Sequence, residues 1–554
     1  RDTYIQPTLF KHRGNVFAGY VQDDWRITNT LTLNLGVRFE DHTPLSEVEN
    51  RMVNFGLYTG TIYTPDGRDG TQKFSNPGLV NNYLGGGDWE PRVGFAWSPA
   101  ALGGKTVIRG GYAISSFTEG GGTNEQLTMN PPLGIFAMGN SGGTIAAGYP
   151  NASTLQSNCA TISITCYAGL RIRVTDQNFK PATSQQWNLT IQHQFGNTVT
   201  AQIGYVGQHG THLLNFEDIA QRIGLNAAGT IAKPGQLIVN QMAGPYLGGG
   251  LVPCNMASLS TCGAANSLYQ ADQGGALAGT NMSNSSQRYD ALQAVLQKRM
   301  GNGLEGQVAY TGATSSGGQP GPQNIYDPRS DWGPCFFNQK HVLSSYVNYA
   351  LPVGKGKQFG KDMNSALSAV LGNWEISGIM SAHSGNSLTL NTFGGWGSGF
   401  AGDASGTNGI GPATLSERPN CAGPVHIANK HVPATSSAPA YIQWIDPTGI
   451  SNPLPGYFGT CSVGNVSGPK FFDADLSLHK NFRITEGKSL QFRFEALNAF
   501  NNAVWTFSGG PAGGSFDPPA NGTGGTPADT NPIFGRITGS QSARSVQLGL
   551  KFIY

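Results

Sequence analysis

Between Ser489 and Ala499 apolar and polar residues take turns. Leu490, Phe492, Phe494 and Ala496 share one face of an extended chain, and Ser489, Gln491, Arg493 and Glu495 share the other, since successive side chains of a strand point to opposite sides. The stretch from Arg544 to Tyr554 repeats this, with Val546, Leu548, Leu550, Phe552 and Tyr554 against Ser545, Gln547, Gly549 and Lys551. Thirteen such segments punctuate the chain, at about residues 16–27, 31–40, 92–98, 105–115, 185–195, 198–207, 287–299, 303–312, 341–352, 370–382, 471–482, 489–499 and 544–554, and each predicts a strand. The weakest is 287–299, where Leu292, Ala294 and Leu296 face one way but Val295 faces the other, and a helix fits there as well.

The connections alternate short, long, short, long. The short ones lie at 28–29, 98–104, 196–197, 301–302, 353–369 and 485–487; the long ones cover about 41–91, 116–184, 208–286, 313–340, 383–470 and 500–543. Up-and-down outer-membrane barrels have short periplasmic turns and long extracellular loops, so the alternation predicts a side for each. It disfavours a soluble sandwich, whose turns recur every ~8–12 residues. Loops this long would also be unusual in a compact soluble domain.

Composition agrees with strands in lipid. Only 12% of residues are charged and 79 are glycine, against about a quarter charged in soluble domains. At 38% hydrophobic, with no apolar run of about 18 residues, the chain has no membrane helix; a barrel that shows alternate residues to lipid and to a polar lumen gives this middling average. A net charge of +2 makes no case for nucleic acid. Arg1 opens the sequence with neither an initiator Met nor a signal segment, so a mature or truncated product is expected. Thirteen strands is an odd count where single-chain bacterial barrels are even, which predicts further N-terminal strands.

The seven cysteines contain no CxxC, which disfavours zinc ribbons and thioredoxin chemistry. Cys159 with Cys166 and Cys254 with Cys262 would close short loops, and Cys421 with Cys461 a longer one; disulfides in an oxidising compartment are the expectation, with Cys335 left over.

Several stretches carry a family resemblance. The chain end, with Gln547, Gly549, Phe552 and Tyr554 spaced as polar, glycine, apolar and terminal aromatic, resembles the assembly signal of outer-membrane β-barrels. YVQDDWRITNTLTLNLGVRFE at 20–40 is similar to a strand–turn–strand unit of TonB-dependent receptors. LSLHKNFRITEGKSLQFRFEALNAFNN at 476–502, the end from 531 to 554, and YVGQHGTHLL at 205–214 resemble the Oar-like subgroup of that family. The resemblance covers nearly the whole chain. It implies an all-β, antiparallel up-and-down transmembrane barrel, of which these 13–14 strands are the C-terminal part of about 22. It also implies a receptor or transporter, not an enzyme, without a cofactor, for an unknown ligand such as a carbohydrate or peptide. Outer-membrane lipid, the barrel-assembly machinery and, through an absent N-terminal part, the TonB complex would be its partners. The plug, the TonB-contacting box and roughly nine of those strands are not in this sequence. A surface adhesin and a passive porin are the alternatives.

Motifs for chemistry are weak. GNSGG at 139–143 fits a serine-hydrolase elbow but lacks the strand before and helix after it. GGKT at 103–106 lacks the first glycine of a phosphate loop and reads as a turn. His209 and His212 lack a third metal ligand and read as loop structure; His193 lies in an apolar row beside a turn. Trp25, Trp187, Trp374, Phe552 and Tyr554 suit interfacial girdles. Trp332, Trp396, Tyr441 and Trp444 in the loops suit either structure or stacking on sugars. Arg38, Glu40, Arg493 and Glu495 are expected on the lumen wall.

Overall fold

The computed structural model describes residues 2–5, 9–68, 70–83, 88–117, 124–130, 136–139, 173–219, 223–242, 253–254, 278–318, 322–392, 418–436, 439–451, 457–485, 487–507, 515–516, 534–540 and 543–554. Its body is one antiparallel meander: β1 (Val16–Thr28), β2 (Leu31–His42), β3 (Asp88–Trp97), β4 (Thr106–Phe117), β5 (Ala182–Phe195), β6 (Val199–Asp218), β7 (Ala278–Gly301), β8 (Leu304–Gly318), β9 (His341–Ala350), β10 (Trp374–His383), β11 (Phe471–Arg483), β12 (Ser489–Leu497) and β13 (Ser545–Ile553). Each strand pairs with its sequence neighbours, and a short strand at Trp332–Pro334 extends the end of β8. All thirteen expected segments are strands, 287–299 included, and the helical option there falls away.

Several boundaries differ from expectation, among them those of β6, β7, β8 and β10. β6 runs on through His209 and His212 to Asp218 and pairs with β7 from Ala278, so these histidines lie in a strand and not in a loop. Register shifts flank His212, whose φ is 55°, as at a bulge. Between β9 and β10 the chain forms a helix, α1 (Ser365–Leu371), capped by the Asn364 side chain, which accepts a hydrogen bond from Leu367 N at 2.8 Å. β10 therefore starts at Trp374 and not at 370. The β7–β8 connection turns on Asn302 and Gly303, both at positive φ (56° and 80°), the backbone that a tight hairpin following the strand twist requires.

Register carries the apolar pattern from strand to strand. A ladder of directly paired residues runs Leu31, Trp97, Ile108, Ile191, Ile203, Ala294, Tyr310, Leu343, Ala382 and Phe472. Nearer the chain end Ile376, Leu478, Phe494 and Leu548 continue it. One residue over, on the opposite face, Gln194, Thr200, Gln297 and Gln307 pair in line, as do Ser477, Glu495 and Gln547. Val295 sits on this polar side, between Gln202 and Ala309, which is why its segment broke period two. On the apolar side Trp187 lies across Gly207, where a Cβ would meet its indole Nε1 at 2.2 Å, so the glycine makes room for the ring.

The apolar face is uncovered: Val21 is 73%, Leu548 72% and Leu550 71% exposed. A patch of this extent is not kept in water, and a row this long suits hydrocarbon. Trp25, Trp97, Phe195, Phe552 and Tyr554 gather near the short-turn ends of the strands and are exposed. The buried apolar clusters lie elsewhere, in the long connections.

Ser477 and Leu478 are neighbours on opposite faces. Leu478→Arg puts a guanidinium among Ile376 and Phe494 and is expected to cost about 2–4 kcal/mol in bilayer folding. Ser477→Arg faces Glu495 and is expected to leave folded yield near wild type. Equal yields of heat-modifiable protein from the two variants would mean the faces are misassigned.

Candidate functional site

Two surfaces qualify, the polar wall of the sheet and the layer built by the long connections. On the wall, Arg38 stands directly opposite Glu90. Arg38 is ion-paired with Glu40, Glu40 lies 2.8 Å from His42 Nε2, and Glu90 lies 3.6 Å from Arg92 and 3.9 Å from Arg38. Glu90 is buried and also accepts from Ser116 N (2.6 Å) and Oγ (2.9 Å). Beside this cluster Gly36, Gly94, Gly111 and Ala113 form the floor of a concavity of about 330 Å³, walled by Gln22, Asn34, Arg92, Gln186 and Asn188. Arg493 donates from Nε to Gln491 at 2.6 Å, and Glu495 lies 3.8 Å from His479. Arg38 and Glu40 are thus brought together on β2, and Arg493 and Glu495 on β12. The two pairs lie near opposite edges of the sheet, nine strands standing between theirs.

The long-connection layer holds the packed core. Met52, Leu79 and Leu127 form one apolar cluster between the connection that follows β2 and residues 124–130; Val80, Tyr83 and Phe179 form another. Asparagine side chains stitch these connections together. Asn54 donates to Leu79 O and Thr175 O, both at 2.9 Å, while Asn130 donates to Val53 O at 2.6 Å and Arg173 O at 2.7 Å. Buried backbone groups need such partners where no ladder supplies them. The pattern signal was a scatter of asparagines, which sequence reading did not single out. Burial pushes the Tyr83 phenol up to about 12.

At the other side Leu390, Ile445, Ile450, Cys461, Val466 and Phe534 pack as a third cluster, and Ala232, Ile238 and Phe458 as a fourth. Residues from 427–432, 441–445, 505–507 and 536–540 form a four-stranded sheet in this layer. Cys421 and Cys461 are joined by a disulfide, with Cα atoms 4.8 Å apart. Cys335 is a buried free thiol whose titration burial pushes up. Of the other expected pairs, Cys159, Cys166 and Cys262 lie outside the described residues, as do Trp396 and most of GNSGG. Arg418 and Asp331 form a buried ion pair, and Arg418 also donates to Ser330 O at 3.1 Å. Gly459 lets the backbone in beside it, since a Cβ there would meet Arg418 O at 1.7 Å. Burial raises the Asp331 carboxyl, against the pull of Arg418.

Loop aromatics divide by exposure. Trp444 donates to Ser467 O at 2.9 Å and packs on the third cluster, and Tyr441 lies under Arg536 at 4.1 Å, so both have structural work. Trp332, Phe336 and Phe337 are exposed, the two phenylalanines edge to face at 5.1 Å. No group of three or more His, Cys, Asp or Glu side chains among the described residues is placed to hold a metal. Thr106 Oγ and His193 Nδ1 are 2.7 Å apart on the apolar side near a short turn.

A meander with one face for hydrocarbon, one polar face and a folded layer at one end is the construction of a membrane barrel. The model of the outer membrane β-barrel domain family matches residues 3–547, so the chain belongs to that family, and its place is the bacterial outer membrane. No curated protein matches it. Similar solved structures include Pseudomonas aeruginosa FpvA bound to a heterologous pyoverdine–iron complex (9% identity, 99% of this chain and 39% of that one, TM-score 0.39). Others are the ferric-catecholate import receptor Fiu of Escherichia coli K12 (10%, 98% and 45%, 0.39) and the siderophore receptor PirA of Acinetobacter baumannii (10%, 98% and 46%, 0.41). The chain spans less than half the length of each.

Breaking the buried pair from one side leaves a charge without its partner, which costs about 3–5 kcal/mol. Asp331→Ala is therefore expected to open residues 322–340 and 418–465 to protease while the sheet stays resistant; unchanged cleavage would show that the pair does not hold the layer. A second test uses pH. Burial by itself raises the Glu47 carboxyl, but hydrogen bonds from the Arg51 side chain and from the N–H groups of Arg51, Lys11 and Glu49 reverse that and hold it down at about 2, against an ordinary 4.5. A depressed acid contributes stability above its unfolded value and loses it as pH falls through the folded one. Amide protection over residues 43–51 should accordingly be full above about 4.5 and fade towards about 2. Glu47→Gln should show the faded state at neutral pH, and protection that ignores both changes would contradict the assignment.

Proposed function

We propose that this chain is the C-terminal barrel portion of a TonB-dependent outer-membrane receptor of the Oar-like kind, taking up a large or scarce ligand such as a carbohydrate or peptide. The folded layer over a polar-walled sheet carries the reading. A passive pore needs an open mouth, whereas here four apolar clusters, an ion pair and a disulfide order the long connections, and ordered loops are where recognition sits. On this reading the long connections face outside and the short turns the periplasm. Transport draws on the TonB complex and needs no catalytic side chain. Trp332, Phe336 and Phe337 offer aromatic faces to sugars or apolar side chains; the same trio would serve an adhesin that binds polymer without moving it.

The edges enter this reading as well. β1 and β13 are exposed along their length, and in a meander the first and thirteenth strands run the same way, so joining them would be parallel. Unpaired backbone groups in lipid cost several kcal/mol each. Our reading is that further strands of the barrel, with the plug, pair with Val16–Thr28 and Ser545–Ile553 in the full-length receptor.

Uptake tests the proposal. Cells carrying the receptor should accumulate labelled oligosaccharides or peptides only while the inner-membrane energising complex is intact. Accumulation that survives its loss would indicate a pore, and binding without accumulation an adhesin. For sidedness, cysteines placed at Ala228 and Gly423 should react with an impermeant maleimide on intact cells, and cysteines at Asn197 and Gly487 only after the outer membrane is breached; the reverse would invert the assignment.

A further inference from the structure

The connection between β9 and β10 is the longest of the short class and the one that folds into a helix. α1 places Leu367, Val370 and Leu371 at a spacing that shares one face, and they are 46%, 64% and 45% exposed. An apolar helical face left bare at the end of a strand has to meet something other than water.

What it meets is indicated by its tether. The C=O of Val370 accepts a hydrogen bond from Trp374 Nε1 at 3.0 Å, and the C=O of Gly372 accepts one from Lys480 Nζ. The Lys480 ammonium in turn sits over the rings of Trp374 (5.2 Å) and Phe482 (5.3 Å). Trp374 and Lys480 are paired on the apolar side of the sheet, in line with Phe492 and Leu550. The helix is thus fastened to the hydrocarbon-facing side at its short-turn rim.

Charge supplies the second observation. The same connection carries Lys355, Lys357 and Lys361 against one acid, Asp362, and all four are exposed. Apolar residues beside lysines in the plane of an interface are the composition of a segment lying on headgroups, and lysines reach back to phosphate while their stems stay in the apolar layer.

We propose that residues 353–373 form a membrane-surface anchor in which Leu367, Val370 and Leu371 enter the acyl–headgroup boundary and Lys355, Lys357 and Lys361 bind the phosphodiesters of anionic phospholipid. With the sidedness proposed above, the leaflet is the periplasmic one. The anchor fixes the depth of β9, β10 and β11 at that rim, where the interfacial aromatics of the other strands do the same by burial alone.

The test is amide exchange on the full chain reconstituted in vesicles of phosphatidylcholine alone and of phosphatidylcholine with an equal amount of phosphatidylglycerol. Amides of Leu367–Gly372 are expected to exchange more slowly in the anionic vesicles, by up to about fivefold for each lysine engaged. K355Q/K357Q/K361Q should erase the difference while exchange in Trp374–His383 stays as in wild type, which guards against misfolding. Val370→Ser should weaken protection in both lipids. Equal exchange in the two lipids, or a difference that survives the triple variant, overturns the proposal. Vesicles present anionic headgroups on both leaflets, so a wrong sidedness or a wrong ligand class leaves this readout standing.

Discussion

Backbone hydrogen bonding in hydrocarbon governs this molecule. No water reaches the N–H and C=O groups of a strand at mid-membrane, so each must be met by a neighbouring strand. A meander does this with the least chain: β2 to β12 each pair with the strand before and after. Because the ladder fixes register, and register fixes faces, the pairing carries one apolar row from Leu31 across to Phe472 and one polar row behind it. The same constraint bears on the exposed edges at Val16–Thr28 and Ser545–Ile553, whose outward backbone groups need partners in hydrocarbon.

The second consequence concerns where packing happens. A sheet with lipid on one side and a polar wall on the other has no apolar interior to bury, and the residues buried in its strands are mostly polar or small, Glu90, Ser184, Asn281, Lys480, Ala474 and Ala496 among them. The apolar clusters around Met52, Ala232, Phe179 and Ile445 lie instead in the long connections. Those segments fold much as a small soluble domain does, by burying side chains, satisfying backbone groups with Asn54 and Asn130, and cross-linking Cys421 to Cys461. Strand geometry sets the scaffold, and the layer above it sets what can be recognised.

This division explains what could be read from the sequence. Strands betray themselves by alternation, because lipid and lumen impose opposite demands on adjacent residues. Leu490 to Ala496 obey both demands, while Val295 does not and blurs its segment. Past Gly207 the apolar residues of β6 no longer alternate, Leu213 and Leu214 being adjacent and so on opposite faces, and the eleven further residues to Asp218 carry no period and read as loop. Arg38 with Glu40, and Arg493 with Glu495, were legible as residues of the polar face. Their separation across the sheet was not, for alternation gives a face and not a distance. Glu90, which answers Arg38 from the next strand, escaped because the alternation is clear only from 92 and left 90 in a connection, whereas the strand begins at Asp88. Arg418 and Asp331, 87 positions apart, had no local signature at all, since loop cores follow no repeat.

That one continuous face of the meander meets hydrocarbon is open to direct test. A photoactivatable carbene precursor dissolved in the bilayer, followed by residue-level mass spectrometry of β12, addresses it without altering the protein. Label is expected on Leu490, Phe492 and Phe494 and not on Gln491, Arg493 and Glu495. Label on both sets alike, or on the polar set alone, would contradict it.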